Sequence, residues 1–163
     1  MNFISFCLFA IVMLSCNTKP TNKIDNLLII DSIAHSHSSL TSFSTLNRYT
    51  KEINGIAICD SVNSKCRSDE QHYTVVLRQI GLSINTFNSL VSQIDDLGFI
   101  KYYRHGDYSV WVEGGAFGDI YGYLINHNPL TAKVESFELD KRYHVGVGKM
   151  VSNNVYYFSS LIE

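Results

Sequence analysis

Hydrophobic positions between residues 73 and 97 repeat with the period of an α-helix. Two segments share this pattern, and Gly81 separates them. Their apolar positions lie on one face of each predicted helix: Tyr73, Val76, Leu77 and Ile80, then Ile84, Phe87, Leu90, Val91, Ile94 and Leu97. Two helices joined by so short a turn cannot bury both stripes against each other alone. The pattern therefore predicts a helical hairpin that packs on a third surface.

The chain then changes to short segments rich in Tyr, Val, Ile and Trp, separated by Gly and Asp. This alternation predicts antiparallel strands. The first three are Phe99–His105, Asp107–Glu113 and Asp119–Asn126, followed by Lys133–Leu139, Arg142–Val151 and Val155–Phe158. Earlier in the chain, Ile24–Ala34 and Leu40–Ile58 are predicted as helices, with a short strand within Lys51–Cys59 as the alternative. We expect an α+β fold in which N-terminal helices, including the hairpin, cover one face of a mostly antiparallel sheet of about five strands.

Side chains on a strand alternate between the two faces of the sheet. If Val110 and its neighbours Tyr108 and Val112 face the helices, Trp111 faces away. The outer face then carries an aromatic binding surface, which we predict to comprise Tyr103, Trp111, Tyr121 and Tyr123. Such rings combine a large contact area with polar tips. The alternative is that the segment Ile24–Ile58 covers this face and makes it core.

Two groups of polar residues are candidates for chemistry. In an up-down-up meander, the ends of the first and third strands meet, which places His105, Asp107 and His127 at one edge. Two imidazoles and a carboxylate are a possible metal set, or a base with its orienting acid. Turns also favour these residue types without any function. We therefore expect no metal site and no cofactor.

At the opposite edge, Glu113 and Asp119 flank a glycine-containing loop. Two carboxylates are the groups used in glycoside cleavage. The glycines equally suit a plain turn, and no Lys-Ser/Thr follows them as in a phosphate-binding loop. Both carboxylates are weak catalytic candidates.

The formal net charge is -2, and Lys and Arg are scattered along the chain without a run. A nucleic-acid partner is therefore not expected.

The first residues have the pattern of a targeting signal. Phe3–Leu14 is an apolar run that only Ser5 interrupts, and it ends in Ser15-Cys16. This run has the length of a signal-peptide core and is too short to span a bilayer. The start resembles a bacterial lipoprotein signal, although no Lys or Arg precedes the run and Met13 stands where Leu is usual. A plain secretory signal and an uncleaved hydrophobic start are the alternatives.

The resemblance implies lipidation of Cys16 and cleavage just before it, which anchors the protein to a membrane of the bacterial cell envelope. It divides the chain into a signal peptide (1–15), a lipidated Cys with its tether (16–23) and one globular domain (24–163). Cys59 and Cys66 remain, and in an oxidising envelope we expect them to form a disulfide.

The expected function is a lipid-anchored envelope module that binds a ligand or another protein and catalyses nothing, as proteins that neutralise toxic enzymes do. One alternative is a small envelope hydrolase or metal-dependent enzyme that uses His105, Asp107 and His127. The other is a structural lipoprotein of the outer membrane.

Overall fold

A computed structural model describes residues 23–46, 49–59, 66–114, 119–128, 130, 135–139 and 143–160. The predicted signal peptide, the predicted lipidation site Cys16 and all of the predicted tether but its last residue lie outside these residues. Within them, no helix has both the length and the apolar character needed to cross a membrane.

Three helices and ten strands make up the described part of the chain. The helices are α1 (Lys23–Ser36), α2 (Tyr73–Gln79) and α3 (Ile84–Asp96). The strands are β1 (Ser42–Leu46), β2 (Tyr49–Ile53), β3 (Ile56–Cys59), β4 (Glu70–His72), β5 (Phe99–His105), β6 (Tyr108–Gly114), β7 (Ile120–Asn126), β8 (Ser136–Leu139), β9 (Tyr143–Ser152) and β10 (Val155–Ser160). All ten belong to one sheet in the order β4-β3-β2-β1-β5-β6-β7-β10-β9-β8. Only the β3–β4 pair is parallel among these neighbours.

The prediction of about five strands is wrong, because the described sheet has ten. Most of the difference lies in residues 42–59, where a helix was expected and three strands are found. The loose helical spacing of Leu46, Tyr49 and Ile53 misled the prediction, since Leu46 and Tyr49 are 55% and 59% exposed while Ile53 is fully buried. The α+β class itself agrees with the structure.

The helices all pack on the same face of this sheet. Apolar side chains of α1, α2 and α3 share one core with Phe43 of β1, Tyr102 of β5 and Trp111 of β6. The two helices of the predicted hairpin end as expected, since Gly81 and Gly98 follow them with φ of +70° and +79°. Ser83 caps α3 by accepting a hydrogen bond from the Thr86 amide at 3.1 Å.

A second core lies on the other face of the sheet. It contains Tyr108, Val110 and Val112 of β6 together with Val145 of β9 and Phe158 of β10. Strands two apart in a flat sheet are separated by about 9.5 Å. Even so, the rings of Phe137 in β8 and Phe158 meet with centroids 5.4 Å apart, across the intervening β9. The two rings therefore lean toward each other on this face and pack at the C-terminal end of the second core.

Gly122 permits the close approach of strands at this point. A Cβ atom there would meet the carbonyl of Trp111 in the paired strand and would lie 2.9 Å from Cζ of Phe158. The Phe158 ring thus occupies the space that any side chain at residue 122 would need.

The predicted disulfide between Cys59 and Cys66 is present. It connects the end of β3 to the segment that leads into β4, the strand parallel to β3. In the chain-entropy model, closing a loop of this length stabilises the fold by about 2–3 kcal/mol.

Candidate functional site

The strand pairing brings the predicted edge residues to one end of the sheet. His105 pairs with Tyr108, and Tyr108 pairs with Asn126, so the ends of β5 and β7 lie at the same end of the sheet, on either side of the start of β6. The side chains do not form the predicted cluster. His105 and Asp107 are exposed, and the Asp107 carboxylate accepts a hydrogen bond from the side-chain Nδ2 of Asn128 at 3.2 Å. Among the described side chains, no group of three or more His, Cys, Asp or Glu residues is placed to hold a metal ion.

His127 instead turns toward α1, where it meets Asp31. Its Nε2 lies 3.2 Å from one carboxylate oxygen of Asp31, and the other oxygen accepts the indole N–H of Trp111 at 2.8 Å. Asp31 is only 2% exposed. A carboxylate with so little access to water is stable only when its oxygens find partners, and here the sheet supplies one partner for each oxygen.

The end of α1 is held by a second contact. The guanidinium of Arg104 in β5 donates to the carbonyls of Ala34 at 3.1 Å and His35 at 2.6 Å. The last carbonyls of a helix lack partners within it and carry partial negative charge, so a cation is favourable there. We call the side chains of Asp31, Arg104, Ser109, Trp111 and His127 the anchoring network, because they join α1 to β5, β6 and the end of β7.

His35 lies against this network, with its ring stacked on that of His127 at a centroid distance of 3.6 Å. Burial lowers the pKa of His35, and the charges of His127 and Arg104 lower it further. The neutral form of His35 is therefore favoured, since burial disfavours its charged form.

Ser109, His127 and Asp31 are the residue types of an acyl-transfer triad, but their geometry differs from one. In such a triad the serine and the acid bind opposite nitrogens of the imidazole. Here the Ser109 hydroxyl lies 2.8 Å from Nε2 of His127, the same atom that faces Asp31. Ser109 is also fully buried. This arrangement suits the attachment of a helix and leaves Oγ out of reach of a substrate.

A groove opens to solvent where α1 passes over the end of β7. We call it the α1–β7 groove. It is lined by Leu28, Asp31, Ser32, His35, Ser36, Ile125 and His127. Its lining combines the apolar side chains of Leu28 and Ile125 with convergent polar groups, a combination found in binding sites, and the anchoring network joins its two walls.

The carboxylates predicted at the opposite edge are not a matched pair. Glu113 forms an ion pair with Lys23, the first residue of α1, at 2.7 Å, and its side chain is 15% exposed. Asp119 is exposed just before β7. The loop residues 115–118 lie outside the described residues. The Lys23 contact gives Glu113 a structural partner.

The prediction that Trp111 faces away from the helices is wrong. Trp111 is fully buried, and its register partners Tyr102 and Tyr123 pack in the same helix-side core. Tyr103 pairs with Val110 and packs in the second core, so the four predicted aromatics do not share one surface. The alternative, in which the segment from Ile24 covers the face, agrees with the position of α1 over Trp111.

The sequence did contain a signal for the missed residue Asp31. The buried positions of α1 are Leu27, Ile30, Asp31 and Ala34, which have the spacing of a single helical stripe. An acid within an apolar stripe predicts a polar partner on the opposing surface. That partner, Trp111, was assigned to the wrong face.

Comparison of the chain with known proteins finds no matching family model, no similar curated protein and no similar solved structure.

Replacing Asp31 with Ala should lower the free energy of unfolding by about 2–3 kcal/mol, because it leaves the buried indole N–H of Trp111 and the His127 ring without their acceptor. Asp25→Ala is the matched control, since Asp25 is exposed on the same helix. Urea denaturation of both variants measures the difference. Equal losses would show that the Asp31 carboxylate contributes no more than a surface acid.

Proposed function

We propose that this protein is a lipid-anchored module of the bacterial cell envelope that binds a partner protein and does not catalyse a reaction. The observation that carries the proposal is the α1–β7 groove, in which His35 and His127 are held in place beside the apolar side chains of Leu28 and Ile125. Because the walls are fixed before binding, a partner segment would not have to order them, and preorganisation of this kind favours affinity.

Two further observations support the envelope location. The first is the lipoprotein-like start that ends in Cys16. The second is the Cys59–Cys66 disulfide, a bond that persists in oxidising compartments. An anchor of two or more acyl chains would hold the protein at the membrane far more firmly than a single chain, because each buried methylene contributes about 0.8 kcal/mol.

The binding function is preferred over hydrolysis on geometric grounds. The serine hydroxyl that lies within hydrogen-bond distance of His127 is that of Ser109, which is buried. Nε2 of His127 faces the Asp31 carboxylate, whereas the His105 side chain is exposed to solvent.

Growth of cells with a clickable fatty acid should label the wild-type chain and leave Cys16→Ala unlabelled, because lipidation requires the Cys16 thiol. Fluorescence of the isolated chain after coupling measures the label. Cys7→Ala is the control, since Cys7 lies within the predicted signal and should not change labelling. Equal labelling of Cys16→Ala and the wild type would refute the anchor.

Replacing Ser32 with Arg should prevent capture of the partner from an envelope extract, because the long side chain would fill the α1–β7 groove. Ser92→Arg is the matched control: it also places Arg at an exposed helical serine, on α3 outside the groove. Both variants should retain the thermal stability of the wild type. A protein captured equally by all three chains would exclude the groove as its binding site.

A further inference from the structure

The helix that follows the tether begins at a particular edge of the sheet. The ammonium group of Lys23 pairs with Glu113 at 2.7 Å and lies 4.9 Å from the ring centroid of Phe99 and 6.0 Å from that of Tyr123. Phe99 begins β5 and Glu113 lies at the end of β6. The domain is therefore attached to the preceding chain at the edge opposite the α1–β7 groove.

The tether implied by the proposed function is short relative to the domain. From Cys16 to Lys23 the chain advances seven residues, which span at most about 25 Å when fully extended and about 15 Å on average when flexible. A globular domain of this length is about 35 Å across. A tether of this length limits how far the Lys23 edge can move from the lipid headgroups, but it does not by itself fix the tilt of the domain.

Three tyrosines form a cluster on the helix-facing side of the sheet beside Lys23. The ring of Tyr157 in β10 lies 5.8 Å from that of Tyr123 and 6.5 Å from that of Tyr121, both in β7. Tyr157 is 37% exposed, and the other two rings are partly exposed. We call these three side chains the tyrosine edge.

Tyrosine is enriched where a protein surface meets the headgroup layer, because its ring is apolar and its hydroxyl remains hydrated. Burial raises the pKa of Tyr123 and of Tyr157, and the nearby Glu113 carboxylate raises both further. The hydroxyls of Tyr123 and Tyr157 thus stay neutral and add no charge at the membrane surface.

The charges around this edge select among lipids. Lys23 neutralises Glu113, whereas Asp25 and Asp119 are exposed at the same edge. Exposed carboxylates would be repelled by an anionic leaflet. Neutral, zwitterionic headgroups meet no such repulsion.

Building on the proposed lipid anchor, we propose that the tyrosine edge rests on zwitterionic headgroups and holds the domain in one orientation, with the α1–β7 groove directed away from the membrane. The ligand of this edge is the bilayer surface, and the tether supplies the high local concentration that makes a weak contact sufficient.

The test uses the full chain purified with its anchor from bacterial membranes and reconstituted into phosphatidylcholine vesicles that contain a headgroup spin-labelled lipid. A fluorophore is attached at Ser159→Cys or at His105→Cys. Ser159 is exposed and pairs with Tyr121, so a fluorophore there reports on the tyrosine edge, and one at exposed His105 reports on the opposite edge. We expect quenching about threefold stronger at residue 159 than at residue 105, and loss of this difference in Tyr121→Ser/Tyr157→Ser.

Each other result overturns the proposal. Equal quenching at the two positions would mean that the domain has no fixed orientation. Strong quenching at residue 159 that survives loss of the two tyrosines would assign the orientation to the tether alone. Disulfide dimers linked through residue 159 in the unlabelled Ser159→Cys chain would assign the edge to a second copy of the chain. If the wild-type chain carries no fatty acid, the anchor fails and this inference fails with it, whereas a labelled chain with equal quenching refutes the orientation alone.

Discussion

The burial of the Asp31 carboxylate between α1 and the sheet is the constraint on which the rest of the structure depends. A charged group at 2% exposure is unfavourable unless its oxygens are bound. Trp111 and His127 provide those bonds from β6 and from the end of β7. They fix the rotation of α1 about its axis, which places Leu27 and Ile30 in the core, and they fix its position along the sheet. Arg104 then holds the end of the helix.

This attachment gives the two ends of the domain different properties. At the end of α1, the fixed helix and β7 leave a groove with two stacked imidazoles. At its start, the Lys23–Glu113 pair joins the helix to the sheet beside three tyrosines. The chain that leads to Cys16 leaves from the second end. Partner binding and membrane contact would accordingly occupy opposite edges and would not compete.

Local patterns predicted the elements whose signals are strong. The apolar stripe of α3 and the break at Gly81 were predicted correctly, because a helical period and a glycine after a helix are evident in a sequence. Strands β5, β6 and β7 were located to within a residue or two, because β-favouring segments separated by Gly and Asp mark strands and turns. The predicted meander correctly placed His105 at one edge of the sheet and Glu113 at the opposite edge.

Local patterns could not predict which face of β6 meets the helices, or that residues 42–59 form strands. Both faces of β6 are apolar, since Tyr108, Val110 and Val112 enter the core closed by β8–β10 while Trp111 enters the core under the helices. When both faces are covered, alternation does not tell which one meets the helices. In residues 42–59 tertiary pairing with β5 overrode a weak helical spacing. The anchoring network joins residues as far apart as Asp31 and Trp111, so no local window contains it.

The most direct measurement is hydrogen exchange of the Trp111 indole, which gives a single resonance because the chain has one tryptophan. If its N–H is donated to the buried Asp31, exchange should be slower than for a free indole by a factor of about 10³ or more, and Asp31→Ala should remove most of that protection. An indole proton that exchanges at the rate of an exposed tryptophan in the folded protein would contradict the attachment of α1 described above.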